Sequence, residues 1–106
     1  MEKPTYLYVI GAENGPIKIG ITGSLTGRLA QIQTGCPFLA VIWFVKPIFS
    51  RGLAIRHERM IHRCHQEQKL AGEWFDLDVE EGIEAIECTI DTHDYFEEMS
   101  RVEEAA

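Results

Sequence analysis

The chain has 106 residues, 45% hydrophobic and 25% charged, with a net charge of −7 and three cysteines. That length predicts one domain around a modest core. No stretch approaches the ~20 apolar residues of a membrane helix, and the first residues lack the cationic and long apolar regions of a signal peptide. Cys36, Cys64 and Cys88 are widely spaced, which suits a reducing compartment, so a cytoplasmic protein is expected.

Tyr6 to Ile10 is aromatic and β-branched and ends at Gly11, predicting a strand. Ile17, Ile19 and Ile21 alternate with Lys18 and Gly20, the period of a half-buried strand. Gly11 to Pro16 holds the residues that turns require. In an unbulged hairpin of even register, Tyr6, Tyr8 and Ile10 share a face with Lys18 and Gly20, and Leu7 and Val9 share the other with the isoleucines.

Thr22-Gly23-Ser24 offers an N-cap, and Gly35 with Pro37 a stop, so a short helix is predicted over 25–34. Leu25, Leu29 and Ile32 form its buried stripe, and Arg28 lies at the border, able to lean over the sheet or to snorkel along the surface. Tyr8, Lys18 and Arg28 thus recur at ten-residue intervals on three successive elements.

Phe38 to Val45 is uninterrupted apolar sequence before Lys46-Pro47, predicting a strand buried on both faces at the sheet centre. Ser50 caps a helix expected to run to about Ala71 and stop at Gly72. On it Ala54, His57, Glu58, Ile61, Cys64 and His65 fall on one side, His62 at the edge, and Arg56, Arg59 and Arg63 opposite. A carboxylate on an inward face needs a cation, an arginine or a proton. Arg28 is a candidate partner for Glu58, and a metal ion is the other. Residues 72–77 read as a last strand. From Val79 onward Ile83, Ile86 and Ile90 have helical spacing; an interruption is expected at 91–94 and a second short helix after it.

Charge is strongly partitioned. Residues 1–75 carry a net +4 and residues 76–106 a net −11, which predicts an interaction surface plus an acidic appendage. Arg51, Arg56, Arg59, Arg63 and Lys69 form a basic stripe able to follow a phosphate backbone. His57, His62, Cys64 and His65 all lie on one helix, whereas a structural zinc site draws four ligands, usually from two separated pairs.

The ordered set Tyr6-Leu7-Tyr8, Lys18-Ile19-Gly20, Arg28 and Glu58 resembles the GIY-YIG nuclease superfamily over roughly residues 5–78. The Lys-Ile-Gly-Ile-Thr run, a Glu-x-x-x-His helix and a closing Gly-Glu-Trp-Phe resemble in particular a phage and bacterial branch described as DNA-binding or nuclease-like. The resemblance implies an α+β fold, a small sheet of three to four strands flanked by helices, as domain 1–78; the acidic helical extension expected over 79–106 lies outside it. The resemblance further implies a DNA endonuclease in which Glu58 holds one Mg²⁺ or Mn²⁺ ion, Arg28 neutralises phosphoryl charge, and Lys18 orients the phosphate. A Tyr8 phenol of depressed pKa would be the base. Tyr6, His62 and Glu73 are accessory candidates. The pattern departs from that family at Lys18, where its second tyrosine stands, and in lacking a late asparagine. The alternatives are a non-catalytic nucleic-acid-binding module, and an interaction protein whose 79–106 segment engages a partner or folds back over the 51–69 stripe.

Overall fold

The computed structural model describes residues 3–105, with side chains through Ser100. Its elements are β1 (Thr5–Gly11), β2 (Ile17–Thr22), α1 (Leu25–Thr34), β3 (Val41–Ile48), α2 (Arg51–Cys64), a 3₁₀ turn (Gln66–Gln68), β4 (Trp74–Phe75) and α3 (Val79–Ala105). The strands form one antiparallel sheet in the order β3-β1-β2-β4, giving an α+β fold.

The hairpin has the expected register, with Tyr8 opposite Gly20 and Val9 opposite Ile19. Because side chains alternate along a strand, this register divides the core in two. Leu7, Val9, Ile17 and Ile19 meet Ala54 and Ile61 of α2 and Ala85 and Ile86 of α3 on one face. Tyr8 and Ile10 meet Ile32, Leu25 and Leu29 of α1 on the other. Ser24 and Ser50 accept hydrogen bonds from Gly27 N–H and Leu53 N–H, fixing the starts of α1 and α2; such caps are worth ~1 kcal/mol each.

Four expectations need correction. The apolar run after Pro37 does not build the central strand. β3 starts at Val41, lies at the sheet edge, and leaves Phe38 and Leu39 exposed. An edge strand needs no donor on its outer side, so β3 continues through Pro47, opposite Tyr6. Helix α2 stops at Cys64, not Ala71, and Cys64 is exposed rather than inward. Beyond it the chain turns back so that Lys69 bridges to Phe75, with Gly72 in the left-handed region at φ 60°. The last strand is only Trp74–Phe75. Helix α3 is continuous through 91–94, where the sequence holds no glycine or proline. Asp, Thr and His cost only a few tenths of a kcal/mol each in a helix interior, and the His93 ring packs edge-on against His57 at 5.2 Å. A capping box starts this helix: Glu81 N–H donates to Asp78 Oδ1 at 2.8 Å and Asp78 N–H to Glu81 Oε1 at 3.1 Å.

Candidate active site at the open edge of β2

The shortness of β4 creates the site. β4 pairs with β2 only at Ile17 and Lys18, and one further bond runs from Ile19 N–H to the Glu73 carbonyl at 3.2 Å. The outward backbone groups of β2 beyond that point have no strand to pair with, and a sheet edge left in this state must find other partners. Side chains supply them. The Ile19 carbonyl meets His62 Nε2 at 2.8 Å. Ile21 N–H donates to Glu58 Oε2 at 3.1 Å, and Arg28 Nη2 reaches the Ile21 carbonyl at a long 3.5 Å. Glu58 and His62 come from α2, one turn apart, and Arg28 from α1. The strand edge is therefore where the two helices' polar residues meet.

Tyr8 joins them from the sheet. Its ring is fully buried, and its hydroxyl donates to Glu73 Oε2 at 3.1 Å. Gly20 makes this contact possible. A Cβ there would stand 2.6 Å from both the Tyr8 hydroxyl and Glu73 Oε2. The sequence shows Gly20 as a strand residue, but its reason, the passage of a phenol over the backbone to a carboxylate, appears only in three dimensions.

The electrostatics follow from this clustering. The Glu58 carboxyl is pushed above its ordinary value by burial and then by Glu73, with His62, the Ile21 N–H and Arg28 pulling the other way. The Tyr8 phenol is pushed well above its ordinary value by burial and by Glu73, against a smaller opposite pull from Arg28. Tyr8 therefore stays protonated, which contradicts the depressed phenol that a base would need. Its role in the folded chain is to donate a hydrogen bond.

Tyr8, Arg28, Glu58, His62 and Glu73 are thus brought together. Lys18 lies on the same sheet face with its ammonium 5.6 Å from the centre of the Trp74 ring, a cation–π platform that sequence reading did not foresee. Tyr6 sits further along β1, opposite Thr22 and Pro47. Glu58 does not form the considered ion pair with Arg28; among the described residues no lysine or arginine lies within 4 Å of a carboxylate, and His93 Nε2 stands 3.7 Å from Glu97 Oε1. On α2, Arg51, Arg56, Arg59 and Arg63 are exposed, as is Lys69 beyond it, and His62, Arg63, Gln66 and Lys69 line a shallow hollow beside the site. Helix α3 packs on α2 without bringing a carboxylate within 4 Å of an α2 arginine among the described residues.

The carboxylates suit a hard cation. Glu58 and Glu73 each use Oε2 in the bonds above, and their mutual repulsion would be relieved by a positive ion. No cluster of three His, Cys, Asp or Glu side chains at metal-ligand separation occurs among the described residues. Magnesium commonly binds through one or two carboxylates and keeps several waters.

The family model of the T5orf172 domain matches residues 5–90, which covers the sheet, α1, α2 and the first part of α3. It overturns the GIY-YIG assignment, for which the matched family is a different one. Tyr6-Leu7-Tyr8 shares only its tyrosine with one of that superfamily's triplets, and Lys18 replaces the tyrosine of the other, so spacing rather than residue identity had carried the resemblance. No curated protein and no solved structure matches the chain. The matched domain is phage-associated and nuclease-related. No helix among the described residues is long and apolar enough to cross a membrane.

Proposed function

The chain belongs to the T5orf172 domain family, and from that membership we propose that it is a divalent-metal-dependent DNA endonuclease acting at the open edge of β2. The observation that carries this reading is the meeting of Glu58, Glu73, Arg28 and Tyr8 from four separate segments of the chain. Two carboxylates beside an arginine, one of them destabilised in its charged form, match what phosphodiester hydrolysis requires.

Glu58, with Glu73 nearby, would hold one Mg²⁺ or Mn²⁺ ion, which when bound would supply Lewis-acid polarisation of the scissile phosphate and charge stabilisation of the leaving oxygen. Arg28 neutralises charge that grows on the phosphoryl oxygens, where preorganised electrostatics have their largest effect. Lys18, held over Trp74, orients the phosphate from the sheet side. Glu73 accepts the proton of the attacking water, and Tyr8 fixes the Glu73 carboxylate through its hydroxyl. His62 positions the α2 turn that carries Glu58 by its bond to the Ile19 carbonyl. Arg51, Arg56, Arg59, Arg63 and Lys69 contact the flanking backbone phosphates.

A labelled DNA duplex and supercoiled plasmid, incubated with the protein in Mg²⁺, Mn²⁺ or EDTA, test this reading. Cleavage with either ion and none in EDTA is expected. Metal-independent, salt-sensitive binding without cleavage in any ion would instead make the chain a non-catalytic nucleic-acid-binding module.

A further inference from the structure

Helix α3 carries two apolar stripes, and among the described residues only one of them packs on the core. Ile83, Ile86 and Ile90 pack on the core shared by the sheet and α2. On the opposite side Cys88, Thr92, Tyr95 and Met99 recur at steps of four, three and four, the spacing of a helix–helix seam. All four are exposed, Tyr95 at 60% and Met99 at 44%. Phe96, at 62%, borders this stripe, and Met60 of α2 is 48% exposed. Between the two helices Cys88, Thr92 and Phe96 face Met60 and Cys64 across a groove of about 370 Å³.

A stripe of this kind with a groove beside it fits a helix. Charge identifies which one. Asp91 and Glu98 lie along one edge of the α3 seam, so packing α3 antiparallel on another α3 sets carboxylates against carboxylates. The complementary surface is on α2, where Arg56, Arg59 and Arg63 are exposed around Met60. We propose that the chain forms a two-fold dimer in which the outer stripe of α3 from each copy, centred on Tyr95 and Met99, packs against α2 of the other, its acidic edge facing Arg56, Arg59 and Arg63. A two-fold axis makes both contacts at once, since each copy offers the same acidic helix and the same basic helix. The partition of charge, +4 over residues 1–75 and −11 over residues 76–106, is the pattern such reciprocal pairing uses. The arginines involved belong to the stripe assigned above to DNA phosphates, so dimerisation and DNA binding compete.

Sedimentation equilibrium of the full chain over a wide concentration range tests the proposal, beside Tyr95→Glu/Met99→Glu and the charge reversal Arg59→Glu. The wild type is expected to pass from one to two copies, with association weakening as salt rises. The Tyr95→Glu/Met99→Glu variant is expected to weaken association at least ~tenfold, since a charge placed in the centre of an apolar contact costs well over 1 kcal/mol. Its circular dichroism melt should match the monomeric wild type, because both positions are exposed. Arg59→Glu should weaken association, and adding Glu98→Lys should restore part of it. A wild type that stays monomeric throughout, or a dimer unaffected by Tyr95→Glu/Met99→Glu, would overturn the proposal; the monomeric result would leave the stripe to an unlike partner.

Discussion

The Tyr8 hydroxyl and Glu73 Oε2 lie 3.1 Å apart although 65 residues separate them in the chain. This bond ties the first strand to the last and passes directly over Gly20. It places a carboxylate beside Glu58, and burial with the Glu73 charge keeps the phenol protonated, so the tyrosine serves as a clamp on the site.

Gly20→Ala is the sharpest test of that clamp. The new Cβ would crowd both the carboxylate, which ends a half-buried flexible side chain and can move, and the Tyr8 hydroxyl and ring, which are fully buried and cannot easily retreat. A loss of roughly 1–3 kcal/mol in stability is expected, typical of overpacking. Any nicking activity should fall along with it. Tyr8→Phe removes only the hydrogen bond, and a smaller loss of about 1 kcal/mol is expected in denaturant unfolding. Equal stability of Gly20→Ala and wild type would show that the strand and the ring do not meet as described.

Glu58 sets function against stability. Its folded carboxyl binds a proton at higher pH than the unfolded chain does, because burial and Glu73 raise it. The native state therefore holds more protons in that window, and stability falls as pH rises from the ordinary value of 4.5 through Glu58's own raised value. Glu58→Gln keeps an oxygen for the Ile21 N–H and removes the charge. Thermal melts should place it above wild type near about pH 7, with the gap closing near about pH 4. A variant less stable than wild type at neutral pH would argue that the carboxylate is a structural partner.

His57 makes the opposite contribution. It is buried between α2 and α3, and burial followed by His93 lowers its affinity for a proton, while Asp94 pulls the other way. The unfolded chain then binds the extra proton, so this part of the stability is lost as pH falls through the ordinary value of 6.5. His57→Phe keeps an aromatic edge toward His93 and cannot titrate. Its melting temperature should drop less than that of wild type between about pH 7 and pH 5.5. Parallel curves for the two proteins would remove His57 from the acid response.

The basic stripe is tested by salt. Removing one phosphate-binding side chain should reduce the slope of log Kd against log salt by about one unit. Arg59→Ala and Arg63→Ala are each expected to flatten the slope for a duplex in EDTA. Unchanged slopes for both arginine variants would separate this helix face from the nucleic acid.

Much of the fold was legible in the chain. The hairpin register followed from the alternation of Ile17, Ile19 and Ile21, and helix α1 from its serine cap and glycine stop. β3 was misplaced because an apolar run cannot distinguish a central strand from an edge strand half covered by helices. The end of α2 was hidden because nothing between Cys64 and Gly72 breaks a helix by propensity; the return bridge of Lys69 to Phe75 decides it. Arg28 and Glu58 stood out as a border arginine and an inward carboxylate. The reason they meet, the unpaired backbone of Ile21, depends on where β4 stops, and strand length at a sheet edge is not written in local pattern. The family assignment erred because spacing outweighed residue identity.

The most direct test of the central claim is the single-turnover rate of supercoiled plasmid nicking by Glu58→Gln relative to wild type in Mn²⁺. Wild-type protein should nick the plasmid, and the variant, folded at least as stably, should be slower by ~10²-fold or more, the scale on which loss of a key charge-stabilising group acts. Nicking by Glu58→Gln at the wild-type rate would contradict the account.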